Sequence, residues 1–329
     1  MRLIRGLYNI PSDFSGCVAT IGNFDGVHLG HQTILQQLKK QGEEHQLPTV
    51  VMMFEPQPRE FFAPDQAPAR LANMSEKLQD LASFGIDYVL CLPFNQKLRS
   101  MSADQFIQTI LLDGLKISHL IVGDDFRFGC DRTGDYQLLQ QAGAKEQNGF
   151  SVEDTKTFEL EGKRVSSTRV RECLSANDLA GASKLLGRPY RMSGRIGYGR
   201  QLGRTIGVPT ANVILQRNKL PMTGVYAVKA IAIIVDECNE SPALNQAGKA
   251  HSSNKEWQGV ANIGVKPTVA GIPEPSLEVH IFDINENLYG KRLSIEFCQK
   301  IREEKKFNGL DELKAAIEND MKVARAFFS

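Results

Sequence analysis

The feature that most restricts the fold is the alternation of apolar runs and helical patterns through the first half of the chain. The apolar runs are CVATI (17–21), TVVMMF (49–54), YVLCLPF (88–94) and HLIVG (119–123). Apolar residues at helical spacing follow three of them, at 31–40, 75–85 and 102–114. Apolar strands that alternate with helices are typical of a parallel sheet covered on both faces. The first half is therefore predicted to be a doubly wound α/β domain, in which ligands bind at the carboxyl ends of the strands.

Capping residues predict the ends of two of these helices. Ser75 is placed to cap the helix at 75–85, and Gly85 is placed to end it. Ser102 and Gln105 have the spacing of a capping box. The pattern therefore predicts helix boundaries at these residues.

The pattern changes near residues 185–190, beyond which the chain consists of short β-type runs. They lie at 190–196, 210–215, 224–235, 257–265, 276–284 and 292–301. Successive strands without helices between them predict an antiparallel barrel or sandwich. A final amphipathic helix follows, which Asn308 can cap. Two domains are predicted, 1–185 and 186–329, and the polar segment 236–258 is predicted to be a long hairpin tip.

Composition excludes several classes of protein. The chain has 329 residues and a net charge of +1, so its overall charge does not predict binding to nucleic acid or to an anionic membrane. No apolar run reaches the roughly 18–20 residues of a membrane span, and the charged N-terminus does not have the form of a signal peptide. The six cysteines are scattered, which predicts reduced thiols in a cytoplasmic protein. We expect a monomer or a weak homo-oligomer whose partners are small molecules.

The turn GNFDGVHLGHQ (22–32) follows the first apolar run and places two histidines three residues apart. His28 and His31 could be metal ligands, although no third ligand is nearby, or chance residues at a helix start. Gly22 and Gly30 allow a ligand to approach the backbone closely. A helix N-terminus presents free N–H groups and a positive dipole, and imidazoles can donate to phosphoryl oxygens. The turn is therefore predicted to bind phosphate.

The segment KRVSSTRVRECL (163–174) repeats this combination at the start of another short helix. Its hydroxyl and guanidinium groups belong to Arg164, Ser167, Thr168 and Arg171. They can form a second phosphate clamp, but a capped helix with solvated arginines explains the same residues. Two anion sites and the acidic turn GDDFRFG (123–129) in one α/β domain favour nucleotide binding.

Glycines are concentrated in GRIGYGRQLGRTIGVPTANV (194–213). Those nearest the following strand are Gly199, Gly203 and Gly207. They indicate either a loop around a ligand or a flexible connector, and the GxxxxGK[ST] pattern is missing. Thr210 and Asn212 alternate along an extended segment, so their oxygens share one face and suit Mg²⁺ that carries phosphates.

Glu278 lies within the β-type run SLEVHIF, between alternating apolar residues. Such a carboxylate is either solvated or placed for a function, and the pattern alone favours the solvated alternative.

Several of these elements together resemble one family. GNFDGVHLGH resembles the HxGH signature of the nucleotidyltransferase superfamily, and VSSTRVR resembles its ISSTxxR partner. FEPQPRE (54–60) and VGDDFRFG (122–129) narrow the resemblance to the flavin adenylyltransferase module of bacterial bifunctional riboflavin kinase/FAD synthetases. PTAN, GVYAV, VANIGVKPT and LEVHIFDINENLYGKRLSIEFCQKIREEKKF resemble the riboflavin kinase module. The resemblance extends over residues 15–328, and the long tip at 236–258 departs from it.

The resemblance implies a Rossmann-like nucleotidyltransferase domain followed by an antiparallel β-barrel with a C-terminal helix. In the first domain it implies ATP-phosphate contacts from Gly22, Asn23, His28, Gly30, His31, Arg164, Ser167, Thr168 and Arg171, and a flavin or metal contact from Asp125. In the second it implies ATP contacts from Gly199, Gly203 and Gly207, Mg²⁺ ligation by Thr210 and Asn212, a general base at Glu278 and a flavin contact from Arg302.

The implied activity is phosphorylation of riboflavin to FMN and adenylylation of FMN to FAD, with ATP as the co-substrate and Mg²⁺ as the cofactor. An FMN phosphate oxygen would attack the α-phosphorus of ATP and release pyrophosphate. This agrees with the absence of a Ser–His–Asp or Cys–His pattern from the first half of the sequence. A protein with one active module, or an inactive flavin-binding protein, is the alternative.

Overall fold

The structure is a computed structural model of the chain. It describes residues 1–123, 125–145, 149–155, 157–198, 207–233, 255–267, 273–284 and 286–329. These residues form two compact units. The first contains residues 1–67 and 77–165, and the second contains residues 68–76 and the described residues from 166 onward.

The first unit is built on a six-stranded parallel sheet. Its strands are β1 (Arg2–Arg5), β2 (Cys17–Ile21), β3 (Thr49–Glu55), β4 (Tyr88–Pro93), β5 (Ile117–Val122) and β6 (Ser151–Asp154). They lie in the order β1-β4-β3-β2-β5-β6, and every neighbouring pair is parallel. The predicted parallel α/β arrangement is confirmed.

Helices connect these strands. They are α1 (Leu29–His45), α2 (Pro58–Phe62), α3 (Met74–Ser83), α4 (Gln96–Arg99), α5 (Ala103–Phe106) and α6 (Tyr136–Lys145). A π-helical stretch, Ile107–Gly114, continues α5, and a small hairpin of β7 (Glu159–Leu160) and β8 (Lys163–Arg164) follows β6. Every residue of β2 is buried, as expected of a central strand covered on both faces.

The strand order places a topological switch point beside β2. From β2 the chain moves to β3 and β4 on one side, and it then returns to form β5 and β6 on the other side. In open α/β sheets the crevice at the carboxyl ends of the strands on either side of such a reversal binds the ligand. The turn that contains His28 leaves β2 at this end, so the fold brings it to the expected binding edge.

Two of the predicted helix starts need correction. Ser75 lies inside the first turn of α3, and the reciprocal capping bonds join Asn73 and Glu76: the Glu76 N–H donates to Asn73 Oδ1 (3.0 Å) and the Asn73 N–H to Glu76 Oε2 (2.7 Å). The first helix begins at Leu29 rather than at residue 31. The capping box of Ser102 and Gln105 is confirmed.

The second unit contains a closed antiparallel barrel, which decides between the barrel and sandwich predictions. Its strands are β9 (Arg191–Gly197), β10 (Ala211–Ile214), β11 (Gly224–Ile233), β12 (Glu256–Pro267), β13 (Pro273–Ile281) and β14 (Arg292–Arg302), in the order β10-β13-β12-β11-β14-β9. Its helices are α7 (Ser167–Ser175), α8 (Leu179–Leu186) and α9 (Leu310–Phe328). Gly187 ends α8 in the left-handed conformation (φ 70°), which glycine adopts without strain.

The last helix packs on the barrel through a small apolar cluster. Ala324 lies among Val225, Ala227, Val260 and Phe282. The prediction that Asn308 caps this helix is wrong. Gly309 is the N-cap, and the backbone N–H of Asn308 instead donates to Glu312 Oε2 (3.2 Å).

The segment 68–76 is fixed to the barrel by a buried polar network. Arg217 and Glu76 form an ion pair in which both side chains are almost completely buried. The Asn73 amide donates to the carbonyl oxygens of Ser193 (3.2 Å) and Leu215 (3.3 Å). Because a buried charge is tolerated when it is paired, this network makes the segment an integral part of the second unit.

The predicted hairpin tip at 236–258 lies outside the described residues up to 254, and its last three residues belong to β12. Within the described parts of the chain, no helix combines the length and the apolar character required to cross a membrane.

Candidate active sites

His28 is the N-cap of α1, and the two motif histidines stack on each other. Its Nδ1 accepts a hydrogen bond from the His31 backbone N–H (3.3 Å), so the proton of the neutral ring lies on Nε2. The two ring centroids are 3.7 Å apart and the planes differ by 14°. Both histidines therefore lie at the start of α1, His28 as its N-cap and His31 in its first turn.

The surroundings of His31 favour the binding of an anion. Burial lowers the pKa of His31 well below its usual range, and electrostatic interactions with His28, Lys77 and Arg164 lower this pKa further. The ring is therefore neutral at pH 7. Its Nδ1 is buried and has no hydrogen-bond partner among the described residues. The helix N-terminus and the two cations together favour a negatively charged ligand beside an unsatisfied ring nitrogen.

The backbone of the turn before His28 has an unusual conformation. Phe24 (φ 46°) and Val27 (φ 43°) both have left-handed φ, which is costly for bulky and β-branched residues. A Cβ at Gly30 would come within 3.3 Å of the His28 ring, so glycine allows the close packing there. The Gly22 N–H donates to the Met52 carbonyl oxygen (3.0 Å), while Asn23 is exposed.

Asp125 and Arg164 lie together in the first unit. Arg164 is in β8, and its guanidinium is 3.6 Å from Asp125 Oδ2, with both side chains more than half exposed. Asp125 follows β5, the strand beside β2 at the switch point. The structure thus pairs the predicted flavin residue with a predicted phosphate residue.

Ser167, Thr168 and Arg171 lie on α7 in the second unit. The hydroxyl that caps this helix belongs to Ser166, which accepts from the Arg169 N–H (3.3 Å). Arg171 donates through Nε to the Ala69 carbonyl oxygen (2.6 Å). Their predicted phosphate contacts stay predictions.

The first unit contains an aromatic cavity of about 790 Å³, whose lining includes Phe126, the residue after Asp125. Its rings are those of Phe54, Phe62, Phe94, Phe106, Phe126 and Phe128, and its arginines are Arg59, Arg99, Arg127 and Arg132. The guanidinium of Arg99 lies 5.6 Å from the centre of the Phe62 ring. A cavity lined by rings and cations suits a flat aromatic ligand with an anionic group.

The barrel aligns three polar residues across neighbouring strands. Glu278 in β13 lies opposite Asn212 in β10 and opposite Asn262 in β12. Residues directly opposite each other on paired strands have neighbouring side chains. Glu278 is about one-third exposed and forms an ion pair with Lys266 of β12, so the solvated alternative describes it incompletely.

Thr210, Glu278 and Arg302 line one cavity of about 150 Å³, together with Asn262. Arg302 is held by the buried Asp320 of α9 through bonds of 2.8 to 3.1 Å. The geometry therefore assembles the predicted metal ligand, base and flavin residue around one space, with Asn212 beside Glu278.

A larger cavity, of about 680 Å³, shares a wall with this one. Thr210 and His280 line both cavities, and the His280 Nδ1–H donates to the Pro209 carbonyl oxygen (2.8 Å). Tyr289 lines the larger cavity and stacks on Tyr198 at 4.4 Å.

Of the three predicted loop glycines, Gly207 is described, and its φ of 78° lies in the region that favours glycine. Gly199 and Gly203 lie outside the described residues.

Sequence reasoning did not identify Asn262, Lys266, Glu304 or Asp320 as parts of the barrel site. Asp320 carries a usable signal, since it interrupts the apolar stripe of the last helix between Ile317 and Ala324. A carboxylate on a buried helix face predicts a cationic partner. Asn262 and Lys266 become neighbours of Glu278 through strand register, and Glu304 reaches the site through the path of the segment after β14, neither of which the sequence specifies.

The fold and these two sites define a class of protein, an α/β nucleotidyltransferase module joined to a β-barrel kinase module. Two family models match the chain accordingly: FAD synthetase over residues 10–169 and riboflavin kinase over residues 186–328.

Known proteins extend the match to the whole chain. The bifunctional riboflavin kinase/FMN adenylyltransferase of Pseudomonas fluorescens is 51% identical over 99% of this chain and 97% of its own length. The protein of the same name from Escherichia coli K12 is 48% identical over 100% and 98% of the two chains. The crystal structure of a macrolide-efflux protein from Streptococcus pneumoniae superposes with a TM-score of 0.76, at 26% identity, over 99% of both chains.

The chain belongs to the family of bifunctional riboflavin kinase/FMN adenylyltransferases. The predictions of this family, of the fold class and of an enzyme with these two activities are confirmed.

Proposed function

We propose that the barrel site phosphorylates riboflavin and that the first unit adenylylates the FMN that results. The observation that carries the kinase assignment is Glu278, whose carboxylate lies in one cavity with Thr210 and Arg302. The domain boundaries 1–185 and 186–329 remain part of this proposal.

In the kinase step, Glu278 accepts the proton of the ribityl 5′-hydroxyl. The new bond joins that oxygen to the γ-phosphorus of ATP, and the bond from the γ-phosphorus to ADP breaks. Lys266 pairs with the Glu278 carboxylate and holds it in position. Arg302, fixed by Asp320, contacts the flavin.

Thr210 and Asn212 offer a hydroxyl and an amide oxygen, which are hard, neutral ligands. The described residues contain no cluster of three His, Cys, Asp or Glu side chains that could hold a metal ion. This donor set fits Mg²⁺ held largely by nucleotide phosphates, and Thr210 and Asn212 would complete its coordination. When bound, the ion neutralises phosphate charge during transfer.

The two barrel cavities support a division between the substrates. The 680 Å³ cavity has room for a nucleoside, and the 150 Å³ cavity contains the base. Because Thr210 belongs to both walls, we place the transferred phosphoryl group beside it.

In the first unit, the aromatic cavity takes the isoalloxazine ring and the turn at His28 takes the ATP phosphates. An FMN phosphate oxygen attacks the α-phosphorus, and the bond to pyrophosphate breaks. His28 donates from Nε2 to a phosphoryl oxygen as charge develops, while Arg164 and the start of α1 neutralise the triphosphate. For the other residues predicted in this module, the contacts with the ATP phosphates and the flavin rest on the family resemblance.

One time course tests the assignment. The protein is incubated with riboflavin, ATP and Mg²⁺, and the flavins are separated by chromatography. FMN must appear before FAD, and the Glu278→Gln variant must form FAD from supplied FMN while it fails to form FMN. FMN formation at the normal rate by this variant would contradict the kinase site, and FAD formation without FMN as an intermediate would contradict the sequence of steps.

We also propose a cytoplasmic location and a monomer or weak homo-oligomer. Among the described residues, Cys17, Cys91, Cys130, Cys173 and Cys298 are not joined in disulfides, as expected in a reducing compartment. Cell fractionation and light scattering over a concentration series test the two statements.

A further inference from the structure

We infer that Glu304 is a positioning residue for riboflavin, which holds the segment 303–307 across the cavity that contains Glu278. The inference rests on the proposed assignment of this cavity to riboflavin. Three observations carry it: the position of the segment, the contact that Glu304 makes with β12, and the glycine that provides the space for that contact.

The segment 303–307 follows β14 and forms part of the cavity lining. Glu304, Lys305 and Phe307 all line the cavity. The Phe307 ring lies 4.9 Å from Lys305 Nζ and 5.4 Å from the guanidinium carbon of Arg302. Phe307 thus contributes an aromatic ring, and Arg302 and Lys305 contribute two cations, to the wall of the cavity, provided that the segment stays in place.

Glu304 contacts the opposite wall. Its Oε1 accepts a hydrogen bond from Asn262 Nδ2 (3.2 Å), and Asn262 is the strand neighbour of Glu278. This bond therefore joins the segment to the part of the sheet that carries the proposed base.

Gly264 makes the contact possible. It lies two residues after Asn262 in β12, on the same face of the strand. A Cβ at this position would overlap the Glu304 carboxylate. The φ of Gly264 lies outside the left-handed region, so glycine is required there for space and not for backbone conformation.

A positioning role predicts a selective kinetic effect. Loss of a hydrogen bond to a charged group weakens binding by about one to two orders of magnitude. We expect Glu304→Ala to raise the KM for riboflavin at least about tenfold, with the KM for ATP unchanged, because the segment lines the flavin cavity and not the larger one. Glu304→Gln keeps an acceptor oxygen for Asn262 and should recover most of the loss.

The neighbouring Glu303 provides the matched control. Its side chain is mostly exposed and pairs with Lys300, and it does not line the cavity. Glu303→Ala should leave the KM for riboflavin unchanged. An unchanged KM for ATP in riboflavin phosphorylation reports that the barrel of each variant is folded.

A double-mutant cycle separates this role from a general effect on the fold. Gly264→Ala should raise the KM for riboflavin in the wild-type background and change it little in the Glu304→Ala background, because the overlapping carboxylate is then gone. Additive effects, or an unchanged KM in Glu304→Ala, would overturn the inference. The KM does not depend on which residue is the base, so failure of the Glu278→Gln test would leave this measurement interpretable.

Discussion

Two substitutions of His28, to Ala and to Asn, together separate its capping role from its proposed chemical role. His28 accepts the His31 N–H at the start of α1, so His28→Ala removes a cap and a proposed phosphate donor together. Loss of a cap costs about 1 kcal/mol, which corresponds to a decrease in Tm of about 2–4 °C for a domain of 150–250 residues. Loss of a donor to the developing charge lowers the rate by about 10²–10³-fold.

His28→Asn isolates the second effect. Asn is among the best N-cap residues, and the extended backbone at this position (φ −68°, ψ 169°) suits it. The variant should regain the Tm of the wild type, but its shorter side chain cannot present a donor where Nε2 lies. FAD formation from supplied FMN should therefore stay about 10²–10³-fold slow, while riboflavin phosphorylation stays normal.

The assays are thermal unfolding and chromatographic separation of FMN and FAD. His45→Ala provides a control at the exposed, opposite end of the same helix, and both activities should survive it. Normal FAD formation by His28→Asn would limit His28 to capping and refute the proposed donor. An equal loss of both activities would refute the separation of the two sites.

Three further predictions concern the base, the pH dependence and the boundary. Glu278→Gln should slow riboflavin phosphorylation about 10²–10⁴-fold without affecting adenylylation of supplied FMN, and a normal rate would assign the base elsewhere. Burial lowers the pKa of His31 and of His119 below the unfolded value of about 6.5, so the unfolded chain binds more protons. The free energy of unfolding should therefore decrease as the pH falls below about 6.5, and His119→Gln should reduce this slope in urea titrations; an unchanged slope would contradict the assignment to His119. A fragment of residues 186–329 should phosphorylate riboflavin, but it lacks Glu76, the ion-pair partner of Arg217, and the loss of one member of a buried pair costs about 3–5 kcal/mol of stability. Circular dichroism of the fragment during urea unfolding measures this, and a folded fragment without kinase activity would contradict the modular assignment.

The alternation of apolar runs and helical patterns predicted the first unit because both signals are local. A buried strand such as β2 is apolar at every position, and helical spacing is read within a few turns. The same locality explains the errors at helix starts. Ser75 and Asn73 are both good caps, and the choice between them depends on the bonds that Glu76 makes in the folded chain.

The sequence also determined the local arrangement of the two motif histidines. The spacing of His28 and His31 brings both rings together at the start of α1 once that helix forms. The neutral state of His31 could not be predicted in this way, since it depends on burial and on Lys77 and Arg164, which are distant in the sequence.

Tertiary structure alone decided which residues surround Glu278. Asn212, Glu278 and Asn262 lie on three strands separated by many residues, and a shift of one residue in either register would turn their side chains to opposite faces. The registers of the closed barrel bring these three residues together, and the segment after β14 then places Glu304 against Gly264. Local sequence thus determined the elements and the motif turn, while the closure of the barrel determined the neighbours of the base, because strand register is a property of the packed sheet and not of any one strand.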